Sequence, residues 1–199
     1  MPKKVDHDER RQDIAQAVAR LAAARGLGDV SFRTVATEAG MSVALVQHYF
    51  GTKHNMLVGT LDWLSAVVGD QISERLASLA PNAGPLDRIR EVAAAFIPID
   101  PIVRDAMLVY HGFASAALAD PDLRSAEAFS RGWATIDFFA EQLREGRDLG
   151  DVDAAVDANR EALGLLSLVL GLSLSVLLEQ VTPQDAIDTL DYHLHRLAN

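Results

Sequence analysis

The chain has 199 residues, 49% of them hydrophobic and none of them cysteine, so it can bury a sizeable core without a disulfide framework or a thiolate metal site. Its net charge of −10 argues against nucleic acid at first sight, but residues 1–60 hold eight Lys/Arg against six Asp/Glu and residues 61–199 hold ten against twenty-two. An acidic body with a mildly basic end suits a protein that docks on DNA by one end only. The opening MPKKVDHDERRQDIAQ has no apolar run after its lysines. It does not read as a secretory signal, and a cytoplasmic protein is expected.

Nearly all of the chain reads as helix. The first helix is expected over about 7–25, with Ile14, Val18 and Leu21 on one face and Gly26 at its end. Ser31 caps a second helix, and Ser42 caps a third that runs to about Tyr49. A long helix follows over about 53–79, its apolar residues at helical spacing. Pro81-Asn82-Ala83-Gly84-Pro85 breaks it. Further helices are expected over about 86–97, 101–118, 121–147, 153–180 and 183–197, three of them opening on Pro101, Pro121 and Pro183. No strand-period segment or internal repeat is found. The fold class is therefore all-α with about nine helices: a small N-terminal three-helix unit and a larger helical body.

The segment FRTVATEAGMSVALVQHY, residues 32–49, reads as a helix-turn-helix. Ala36 sits where two helices cross closely, and Gly40 where the chain turns through the left-handed region. Val35, Ala39, Met41 and Val46 fill the space between the helices. The second helix of the pair is placed to enter a DNA major groove. On it, Ser42, Val43, Ala44, Gln47 and His48 form the exposed start and face. Gln47 is matched to a base edge, adenine above all, and Val43 and Ala44 to thymine methyls. Tyr49 and Lys53 are matched to phosphate, as are Ser31 and Arg33 at the start of the preceding helix. Lys3, Lys4, Arg10 and Arg11 form either a basic arm on the duplex or a frayed end.

Residues 10–57 resemble the DNA-binding domain of the TetR family of bacterial transcriptional repressors. The match is carried by the amphipathic first helix, Ser31, Val35-Ala36, Ala39-Gly40, Ser42, Tyr49-Phe50, Lys53 and Leu57. The string SVALVQHYFGTKHNML resembles the BetI-like branch of that family. WATIDFFAEQLREGRDLGDVD and LLSLVLGLSLSVLL resemble the same branch's C-terminal domain more loosely. Gln47 departs from the Tyr that many relatives carry there, so the resemblance leaves room for a different operator.

The resemblance implies a DNA-binding domain over residues 1–52 and an effector-binding and dimerisation domain over 53–199. It also implies a repressor that binds a palindromic double-stranded operator as a homodimer and is released by a small molecule. Trp63, Phe96, Met107, Tyr110, His111, Trp133 and Asp137 are candidates to line the effector site, several having a polar tip on an apolar frame. The aromatic share, 6%, is too small to imply a choline-like ligand. Residues 162–178, ALGLLSLVLGLSLSVLL, carry no charge but lack aromatic anchors and are short for a membrane span. Gly164, Ser167, Gly171 and Ser175 make a stripe on this run that admits another helix closely. The resemblance assigns the run and residues 183–197 to a homodimer interface.

Catalysis is not expected. The chain has no Glu-x-x-His pair, no cysteine nucleophile and no glycine-rich loop after a strand, and His193 and His195 point to different helix faces. No cofactor or metal is expected. The competing reading is a helical adaptor that binds protein or membrane through residues 162–178.

Overall fold

The structure is a computed structural model that describes residues 3–124 and 127–198, the side chains of residues 3–6, 122 and 127–131 excepted. Ten α-helices are described: α1 Lys3–Arg25, α2 Phe32–Glu38, α3 Val43–Phe50, α4 Lys53–Ser78, α5 Pro85–Ala94, α6 Pro101–Ala119, α7 Pro121–Arg124, α8 Glu127–Leu149, α9 Ala158–Leu177 and α10 Pro183–His195. A 3-10 turn, Leu27–Asp29, joins α1 to α2. The helix expected over 121–147 is described as α7 and α8, which accounts for ten helices instead of nine. Among the described residues the only extended pairing is one antiparallel bridge, Val152 to Ala198.

The helix starts follow their capping chemistry. Asp100 accepts hydrogen bonds from the N–H groups of Ile102 and Val103 at 2.8 and 3.0 Å, and Thr182 shares a capping box with Asp185. Helix α9 starts five residues later than expected. Asp153 accepts from Ala155 N–H at 2.9 Å, and Asp157 accepts from Asn159 and Arg160 N–H, both at 3.2 Å. These carboxylates offer the backbone a turn and then a cap, so the helix begins only at Ala158.

The chain forms two compact units. One is Met1–Val67 with Leu108–Ala128; the other is Val68–Met107 with Phe129–Asn199. The boundary between residues 52 and 53, drawn on the motif, falls inside the first unit. There α1 packs on α2 and α2 on α3, and Ile14, Val18, Val30, Val35, Ala36, Val46 and Phe50 are buried. The second unit has a continuous core built from Ile89, Val92, Phe139, Leu143, Leu165, Val169, Leu190 and Leu194, where α5, α9 and α10 meet. Polar ties rim it. Arg90 grips Asp191 with two N–H groups at 2.6 and 3.0 Å, and Glu161 meets His193 at 2.6 Å. Among the described residues, α9 is the one helix long and apolar enough to cross a membrane. One of its faces, with Ala162, Leu165, Val169 and Val176, is built into this core.

Candidate nucleic-acid interface

The turn between α2 and α3 is held at both ends. Ser31 Oγ accepts from Thr34 N–H at 3.2 Å while Thr34 Oγ1 accepts from Ser31 N–H at 2.9 Å, closing a capping box at the start of α2. At its end Met41 N–H reaches Ala36 O at 2.9 Å and Gly40 N–H reaches Thr37 O at 3.3 Å. This is the Schellman pattern, and it sets Gly40 at φ 66°. A Cβ added at Gly40 would meet nothing within 4 Å, so glycine is needed there for its backbone and not for space. Ser42 Oγ then accepts from Leu45 N–H at 3.2 Å and starts α3.

The phase of α3 is set by Val46 and Phe50, both buried and one turn apart. That leaves Ser42, Val43, Ala44, Gln47 and His48 exposed, with Tyr49 half-buried. Leu45, 36% exposed, joins this face although its sequence position went unassigned. The signal was available: a residue adjacent to Val46 lies about 100° around the helix from the buried stripe. Ala36 and Val35 are buried as expected, while Ala39 and Met41 are half-buried at the edge of the small core.

The remaining candidates lie around this helix. Arg33 is exposed on α2, and Ser31 is half-buried with its oxygen already accepting from Thr34 N–H. Lys53 is exposed at the first position of α4, whose start is capped by Thr52 through Asn55 N–H at 3.1 Å. The side chains of Lys3 and Lys4 lie outside the described residues. Arg10 pairs with Asp13 at 3.3 Å, and the Arg11 guanidinium sits over the Phe50 ring at 5.1 Å. Phe50 also abuts α4, where a Cβ at Gly59 would lie 2.9 Å from Phe50 Cε1. The ring contacts of α1 with the end of α3 had no sequence signal beyond four-residue spacing.

The effector candidates divide. Trp63, Tyr110 and His111 belong to the first unit and are half-buried; the Tyr110 and His111 rings stand 5.6 Å apart. Burial pushes the Tyr110 hydroxyl up and the His111 imidazole down from their ordinary values. His111 Nε2 is buried without a hydrogen-bond partner among the described residues. In the second unit Met107 is buried and Phe96 half-buried. Trp133 is 68% exposed and Asp137 is exposed. Helix α8 buries Phe139, Ala140 and Leu143; Trp133 lies seven residues before Ala140, on the same side of the helix but nearer its start, and is uncovered there. On α9, Gly164, Ser167 and Gly171 are exposed and Ser175 is half-buried, flanked by exposed Leu163 and Leu174.

Comparison with known proteins places this geometry. Residues 14–59 match the model of bacterial regulatory proteins of the tetR family, and residues 85–199 match that of the BetI-type transcriptional repressor C-terminal domain. The chain is 28% identical over 184 residues to the HTH-type transcriptional regulator PksA of Bacillus subtilis, covering 91% of this chain and 85% of the relative. It is 28% identical over 123 residues to the regulator BetI of Yersinia pestis, covering 62% of each. A transcriptional regulator from Rhodococcus superposes with a TM-score of 0.78 at 25% identity, over 94% of this chain and 95% of that one. A protein from Saccharomonospora viridis, solved in complex with choline, shares the fold with a TM-score of 0.84 at 24% identity, over 96% of this chain and 99% of that one. A C-terminal match over more than half of the chain, joined to an independent match across the helix-turn-helix, makes this protein a member of the TetR family of DNA-binding transcriptional regulators, in its BetI-type branch, and not an enzyme.

Proposed function

We propose that the chain is a ligand-responsive repressor that binds a near-palindromic operator as a homodimer. The observation that carries this reading is the exposed row on α3, fixed by a cap at Ser42 and a glycine turn at Gly40. Gln47 reads a base edge, with adenine as its bidentate partner, while Val43, Ala44 and Leu45 meet thymine methyls. His48 borders the same edge. Tyr49, Lys53, Ser31 and Arg33 take phosphates and set the register.

The second copy packs on the open face of α9 and on α10. Gly164, Ser167 and Gly171 allow close approach there, and Leu163 and Leu174 supply apolar area. Two reading helices must then meet major grooves about 34–36 Å apart. A small molecule that prefers the mismatched spacing releases the operator. A coupling of about 1–3 kcal/mol weakens DNA binding roughly 5–150-fold. Trp63, Tyr110 and His111, all of the first unit, are the proposed effector contacts.

The test is a gel shift with the duplex upstream of the protein's own gene, at low and at physiological salt. A specific complex that weakens steeply with salt is expected. No specific complex at low salt with any neighbouring promoter overturns the reading. A thermal-shift screen then finds the effector, because a ligand of the folded state raises Tm. Choline, bound by the Saccharomonospora viridis protein, is one compound to include.

A further inference from the structure

Two consecutive aromatic residues close the reading helix, and both are met by α1. The His7 imidazole stands 5.4 Å from the Tyr49 ring, centroid to centroid, with the planes at 60°. One turn along α1, the Arg11 guanidinium lies 5.1 Å from the centroid of Phe50. His7 and Arg11 are four residues apart and so share a stripe of the helix. The two contacts serve different ends. Phe50 is buried, so its ring is already fixed by the core. Tyr49 is half-buried, and its other ring neighbour is His48, 5.7 Å away at 75°. Its ring is therefore flanked by two imidazole rings at steep angles to it and is only partly covered.

A phenol free to turn about its side-chain torsions must be immobilised before its hydroxyl can bind phosphate. We propose that His7 is a positioning residue for DNA binding: its edge-on contact holds the Tyr49 ring in the orientation that presents the hydroxyl to the backbone. This rests on the proposed phosphate contact of Tyr49. The favourable ring geometry is worth about two- to twelvefold in an equilibrium constant.

The experiment measures the affinity of the full chain for the duplex upstream of its own gene, by fluorescence anisotropy at two salt concentrations, with Tm recorded for each variant. Tyr49→Phe, which removes only the hydroxyl, is expected to weaken binding about tenfold. His7→Ala should weaken it about three- to tenfold, and His7→Phe should bring it back to within about twofold of the parent. In the Tyr49→Phe background, His7→Ala should add less than about twofold, because no hydroxyl is left to position. His7 is exposed, so Tm should hold. Three results overturn the proposal alone: no loss from His7→Ala where Tyr49→Phe does lose; the same loss in both backgrounds; or His7→Phe as weak as His7→Ala with a shallower salt slope, which places the imidazole itself on a phosphate. If Tyr49→Phe costs nothing, the phosphate role of Tyr49 fails, and the positioning role falls with it.

Discussion

Two surfaces of this chain are left uncovered, and they differ in kind. The outward face of α3 mixes a hydroxyl, an amide and an imidazole with small apolar groups at Ser42, Gln47, His48, Val43 and Ala44. The outward face of α9 is made of Leu163, Gly164, Ser167, Gly171 and Leu174 and offers water almost nothing to bond. A face of the first kind is stable in water and can wait for a partner that comes and goes. A face of the second kind exposes contiguous apolar area, which favours lasting cover. The difference separates the proposed reversible DNA contact from the proposed lasting seam between copies.

The comparison breaks most sharply at Gly171. A side chain added there meets nothing within 4 Å in the single chain, and replacing a helical glycine raises intrinsic helix stability. Gly171→Leu should therefore keep the helical circular dichroism yet shift size-exclusion elution from dimer to monomer, and lower operator affinity by roughly 100-fold or more through lost bivalency. An intact dimer places the seam elsewhere. On the other face, Gln47→Ala should cost about 1–3 kcal/mol of operator affinity and relax base preference at one position, with Tm unchanged. A competition assay over single-base operator variants reads this directly.

A smaller effect is expected at the turn between α2 and α3, which aims the reading helix. Gly40→Ala forces a side chain into the left-handed region and should lower unfolding free energy by about 1–2 kcal/mol in a urea titration. The dimer should survive. The smallest effect comes from the interior of the first unit. The His111 imidazole, held below its ordinary 6.5 by burial, binds its proton more weakly folded than unfolded. Its contribution is intact above pH 6.5 and is lost as pH falls below that value, so stability should decline toward pH 5.5. His111→Asn should flatten the decline in thermal melts taken across that range.

How legible each region was follows from how local its causes are. Ser31, Gly40 and Ser42 act on backbone groups within five residues, so the α2–turn–α3 unit could be read residue by residue. The aspartates before α9 act just as locally but compete with the helix, and periodicity alone carried the helix start past them to residue 153. Trp133 and Asp137 show the other limit. Helical spacing puts Trp133 on the side of Ala140, but which stretch of that side is covered depends on where the core around Phe139 and Leu165 ends. Leu45 was legible by the same local logic, since the inward Val46 beside it turns it toward the exposed face.

The bare α-carbon of Gly59 gears α3 to α4. Because no methyl stands beneath Phe50, the ring rests directly against α4, and the last residue of the reading helix seats there like a tooth in a notch. Under the proposed release, a slide of α4 along its axis carries that ring, and α3 with it, relative to the duplex.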